Sequence, residues 1–184
     1  MIGLLLGLAG CGASPSGGGT RLPQGELDQY FVGTQVIRLP DGTEQENGTV
    51  VAHRSLRPAE SAILEEMMTR DAAGGLEARS VRLDVQESHF VLTEPGTSTR
   101  GEGDLEGEPW NWTAWHMQSQ LQSGAMVVTD EMLSATDLQT ESQVLGSDGT
   151  PSMVIRQVLT RVSRERYEQE RAAIEGAGQA ATLP

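Results

Sequence analysis

Three of the seven aromatic residues in this 184-residue chain fall within six positions, at Trp110, Trp112 and Trp115. Side chains alternate across a strand. If the segment is extended, Trp110, Trp112, Ala114 and His116 share one face, and Trp115, Met117 and Leu121 share the other. Gly101 and Gly103, in the segment before, leave room for indoles on a neighbouring strand. The first face therefore has two readings: tryptophans that fill a core, or a pocket of Trp110, Trp112, His116, Gly101 and Gly103. In the second, indole N–H groups fix the polar end of an apolar ligand. On either reading Trp115 and Met117 face outward.

Other candidates for chemistry are weaker. Glu102, Asp104, Glu106 and Glu108 form an acidic row. Alternate strand residues lie about 6.6 Å apart, too far for their carboxylates to converge on a calcium ion at about 2.4 Å. The row reads as a solvated strand face that resists edge pairing. His53, His89 and His116 lie in three separate segments without metal-ligand spacing. They leave one alternative open, a barrel enzyme or a haem or metal carrier that uses His116 or His53. Gly101-x-Gly103 followed by Gly107 is not a dinucleotide fingerprint, and neither G-x-S-x-G nor S-x-x-K with its partner motifs occurs. No catalytic residue, metal site or cofactor is assigned.

The single thiol, Cys11, follows an apolar run from Ile2 to Leu8 that is too short to span a bilayer. Leu8-Ala9-Gly10-Cys11 resembles the lipobox of bacterial lipoproteins. That resemblance implies cleavage before Cys11 and acylation of its thiol and new amino group. It also implies attachment in the bacterial cell envelope, on the periplasmic face of the outer membrane if the cell is Gram-negative. No Lys or Arg follows Met1 and only ten residues precede the Cys, so the start is expected upstream. Residues 1–10 are read as signal peptide. Residues 11–25, rich in Gly and Ser, are read as a tether.

Acids outnumber bases 26 to 13, giving a net charge of −13, and every base is an arginine. This excludes a nucleic-acid footprint and electrostatic attachment to an anionic membrane. The expected partners are the membrane, through the lipid, and a small apolar ligand or an envelope protein. One cysteine excludes a disulfide framework.

From residue 30 to 162 the dominant period is two. Val81, Leu83 and Val85 alternate with Arg82, Asp84 and Gln86, and turn residues separate such runs at Pro40-Asp41-Gly42, Asn47-Gly48, Gly74-Gly75, Pro95-Gly96 and Asp148-Gly149. Strands are predicted at 31–39, 48–57, 61–70, 76–86, 89–94, 98–107, 110–121, 125–133, 138–145 and 152–162. Residues 61–68 have strong helix formers but are assigned to a strand because strand patterns flank them. Residues 163–175 predict a helix, with charge pairs Arg164/Glu168 and Arg166/Glu170 and a stripe of Tyr167 and Ile174. The helix is expected to cover Trp115, and residues 177–184 to form a tail.

Ten antiparallel strands and a C-terminal helix, with the Gly-rich segment ahead of Pro109-Trp110-Asn111-Trp112, resemble the calycins, the lipocalin-like and fatty-acid-binding-protein-like barrels. The resemblance implies an all-β, up-and-down barrel over 26–176. The Gly-x-Trp of lipocalin first strands is replaced here by Phe31-Val32-Gly33-Thr34. A β-sandwich is the rival architecture.

Overall fold

The computed structural model describes residues 27–108, 110–121 and 124–180. The signal, Cys11 and tether assignments lie outside them. Ten strands follow in chain order: β1 (Asp28–Arg38), β2 (Glu44–Arg57), β3 (Ala62–Arg70), β4 (Leu76–Gln86), β5 (His89–Thr93), β6 (Arg100–Glu108), β7 (Asn111–Leu121), β8 (Gly124–Met132), β9 (Asp137–Leu145) and β10 (Pro151–Val162). A helix, α1 (Arg164–Ala180), ends the described chain and runs five residues beyond its predicted end.

Every strand pairs antiparallel with its neighbour in sequence, and β1 pairs with β10 from Tyr30↔Val162 to Arg38↔Val154. The sheet is therefore a closed barrel without an edge, and the sandwich alternative is excluded. The segment with helix formers is strand β3. Ser61, at φ 49°, turns the chain out of a short 3-10 turn at Pro58–Glu60. From there Ile63 pairs with Leu56 on β2 and Leu83 on β4. Burial of Ile63 inside the barrel outweighs local helix propensity.

Alternation divides the apolar residues between two faces. Inside, one cluster is built from Leu56, Ile63, Val81, Leu83, Val85, Phe90, Leu92, Leu105, Trp115 and Met117. A second holds Phe31, Val50, Ala52, Leu138 and Leu159. Outside, Tyr167 and Ile174 of α1 pack with Val51, Tyr30, Val32, Met68 and Val162. The guanidinium of Arg70 on β3 donates to the Ile174 carbonyl at 2.7 Å. The helix therefore covers β1–β3, not Trp115. Its two-residue stripe meets the apolar outer patch that those strands present.

Candidate binding cavity and its ionic partition

The tryptophan segment departs from strict alternation, and this sets the site. Along β6 and β7, Gly101 pairs with Ser119 and Glu106 with Ala114, but Gly107 pairs with Trp112. Thr113 is an extra residue, a β-bulge. The bulge lets Trp112 and Trp115, three apart, face the same side. Trp115 is only 8% exposed and Met117 6%, both inside the barrel. This corrects the expectation that they face outward. Trp110 takes φ 61° at the turn into β7. A left-handed backbone costs a residue with a side chain about 1–2 kcal/mol. The conformation holds the Trp110 ring against Trp112, centroids 4.9 Å apart.

Trp110, Trp112 and Trp115 line one end of a cavity of about 280 Å³. Phe31, Leu56, Ile63, Met132 and Leu138 supply most of its apolar wall. The other members of the sequence-derived pocket lie elsewhere. His116 is on the outer face, half exposed, with Glu106 at 3.1 Å and Thr129 at 3.4 Å. Gly101 and Gly103 sit against β7 and leave no space for indoles. A Cβ at Gly103 would lie 2.0 Å from the His116 carbonyl oxygen, and one at Gly101 3.0 Å from Met117 Sδ.

The floor of this cavity is ionic. Arg54 donates from Nε to Glu65 at 2.8 Å and from Nη2 to Asp130 at 2.9 Å. Its guanidinium carbon stands 3.8 Å from the Trp115 ring centroid and 5.8 Å from that of Phe31. Stacking on an indole suits a planar, weakly hydrated cation. Burial pushes the Asp130 carboxyl up to about 6; Arg54 opposes the shift and the neighbouring Glu65 carboxylate adds to it. A hydrogen bond from Thr140 favours the charged form. Arg54 lines the first cavity, Glu65 lines a second of about 250 Å³, and Asp130 and Trp115 line both. The cluster partitions the interior.

Sequence reasoning missed this cluster, although its signal was present. Arg54 interrupts the alternate apolar series Val50, Ala52, Leu56. Glu65 stands between Ile63 and Met67, and Asp130 between Val128 and Met132. A charge in the inward register of a strand is either paired or functional.

None of the three histidines lines either cavity. His89 meets Asp104 on the surface at 3.3 Å. His53 lies beneath the start of α1, stacked on Tyr30 at 4.7 Å and 3.1 Å from Asp28 Oδ1. The Ser55 hydroxyl donates to that same oxygen. These bonds, with the Ser55 bond largest, hold the Asp28 carboxyl below the usual range. The imidazole bonds the carboxylate and not the hydroxyl, so this is no activated serine. Among the described residues, no group of three His, Cys, Asp or Glu side chains converges for a metal.

No protein-family model matches the sequence, and no curated protein matches it. Among solved structures, the chain is similar to the S-type phycobiliprotein lyase CPES from Guillardia theta. The identity is 10%, the match covers 72% of this chain and 85% of that one, and the TM-score is 0.50. At that identity the likeness shows the fold alone: a closed antiparallel barrel of ten strands with one C-terminal helix.

Proposed function

We propose that the chain is a non-enzymatic carrier that holds a small, largely apolar ligand in the tryptophan-lined cavity, tethered to a bacterial envelope membrane through lipidated Cys11. The cavity carries the reading. It brings Trp110, Trp112 and Trp115 together over an apolar wall and ends on the Arg54 guanidinium. An apolar cleft with a few convergent polar groups is the usual form of a small-ligand site. The phycobiliprotein lyase shares this barrel outline, which is consistent with ligand binding. The tether rests on Leu8-Ala9-Gly10-Cys11 and the Gly/Ser stretch that follows.

Titration with the neutral fluorophore N-phenyl-1-naphthylamine tests the cavity. Saturable binding with quenching of tryptophan emission is expected, weakened about tenfold or more in Trp112→Ala. Failure to bind, in a chain that remains folded, overturns the carrier reading. For the tether, Cys11→Ser, expressed in a bacterial host, should leave the membrane fraction. If it partitions as the wild type does, Cys11 is not the anchor.

A further inference from the structure

The second cavity lies across the ionic partition from the first and has its own chemistry. Phe90, Trp115, Met67, Met117 and Met126 are among its apolar walls. Register places a polar row beside them. Trp115 pairs with Asp130, Asp130 with Thr140, Thr140 with Gln157, and Gln157 with Gln35 across five adjacent strands. All five side chains are buried, and all five line this chamber. The Gln157 amide nitrogen donates to Gln35 Oε1 at 2.6 Å and contacts Met67 Sδ at 3.4 Å. Both contacts are acceptors, which orients the amide. Gln157 Oε1 is thereby left buried without a donor. An unmet buried acceptor costs about 1–3 kcal/mol.

Charge points the same way. Glu65 and Asp130 share one cation, Arg54, so the partition carries one carboxylate charge too many. Glu77, itself exposed, adds a third carboxylate to the lining. The cation in that lining, Arg79, lies 3.5 Å from Glu94. The chamber holds surplus negative charge and an orphaned acceptor, inside apolar walls.

We propose that this second chamber is a binding site for a small amphiphile with a protonated primary amine. An ammonium has three donors and no acceptor. It supplies the donor that Gln157 Oε1 lacks and neutralises the charge that Arg54 cannot. A carboxylate would add charge to an already acidic cluster, and an alcohol would satisfy Gln157 while leaving the charge in place. The site is separate from the tryptophan-lined cavity and does not depend on the carrier reading.

A proton competes with the amine. Asp130 faces Arg54 from β2, Glu65 from β3 and Thr140 from β9, with Glu77 and Arg79 of β4 on the same chamber wall. Its carboxyl is pushed up to about 6, so below that pH it is neutral and the attraction weakens.

Methyl resonances test the proposal on the full chain, because Met67, Met117 and Met126 line the second chamber and not the first, and Met132 the first and not the second. The probes are octylamine, octanol and octanoate. At pH 7.5 octylamine should move the Met67, Met117 and Met126 methyls and leave Met132 in place. It should bind at least tenfold tighter than octanol or octanoate. At pH 5 its affinity should fall about tenfold, one pH unit below the Asp130 midpoint. Gln157→Leu should weaken octylamine about tenfold; Glu65→Gln, which removes the surplus charge, serves if that variant does not fold. Equal affinity for octanoate or octanol overturns the proposal. So does a shift confined to Met132, or an octylamine affinity untouched by the substitution. Loss of N-phenyl-1-naphthylamine binding with octylamine binding intact would refute the carrier reading alone.

Discussion

Trp115 and Trp112 have different work despite their closeness in sequence. Trp115 is buried among Phe90, Met117 and Leu105 and carries the Arg54 guanidinium on its face. Removing it opens a cavity and strips a buried cation of its stacking partner. Trp115→Ala should therefore cost about 3–5 kcal/mol in urea denaturation. Trp112 is half-buried at the cavity mouth, so Trp112→Ala should cost clearly less. Equal losses would contradict the difference in their burial. Asp130 gives a second residue-scale expectation. Its folded midpoint of about 6 lies above the ordinary 3.8, so between those values the folded chain holds a proton that the unfolded chain releases. Stability should fall as pH rises from 4.5 to 6.5, by at most about 1.4 kcal/mol per pH unit. Asp28, Asp41, Asp137, Glu141 and Asp148 act oppositely, their carboxyls held low by hydrogen bonds. Their contribution is present above the ordinary carboxylate range and lost on acidification below about 4. Denaturation midpoints of wild type and Asp130→Asn across pH 4.5–6.5 separate the two effects. If the two profiles run parallel, Asp130 does not titrate in that window.

At the scale of elements, α1 caps the outside of β1–β3 with Tyr167 and Ile174, each 4% exposed. Deleting residues 164–184 should uncover Val51, Tyr30, Val32 and Met68. The denaturation midpoint should drop and the chain should self-associate in sedimentation, because the exposed patch is apolar. The wavelength of tryptophan emission should not change, since all three indoles line the interior cavity and none contacts the helix. A red shift would place the helix elsewhere. The ten strands were legible in the sequence because alternation and turn residues agree along nearly the whole chain. Even β3 could be recovered from its flanks. The faces of Trp115, His116 and Met117 were not, because one residue of bulge reverses parity beyond Trp112 and nothing in Trp112-Thr113-Ala114 marks Thr113 as the extra one. The helix was legible as a helix, but its docking site was not. Its stripe is two residues, and the patch it meets is drawn from β1, β2, β3 and β10. Gly103 reads as a spacer in sequence and is a backbone contact in space. Gly103→Ala should disrupt β6–β7 pairing, seen as lost amide protection at Met117 and its neighbours, because the neighbouring carbonyl cannot retreat.

Over the whole molecule, the interior is divided rather than continuous. One chamber has Arg54 and Arg161 at its walls, the other Glu65 and Glu77, with Asp130 between them. The division depends on closure, and closure depends on a single non-local pairing. Nine of the ten strand pairs join neighbours in the chain, and each can form as a local hairpin. The tenth joins the first strand to the last, from Arg38↔Val154 to Tyr30↔Val162, and cannot form as a local hairpin. Bringing such distant segments together carries the largest loop-closure entropy in the fold, although that cost grows only logarithmically with length. Folding should therefore show a slow last phase that belongs to the β1–β10 seam, while secondary structure forms early. During synthesis the sheet stays open until residue 162 has emerged, with β1 presenting an unpaired ladder in the meantime. The acidic surface then acts as a kinetic safeguard, since chains with a net charge of −13 repel one another while that edge waits for its partner.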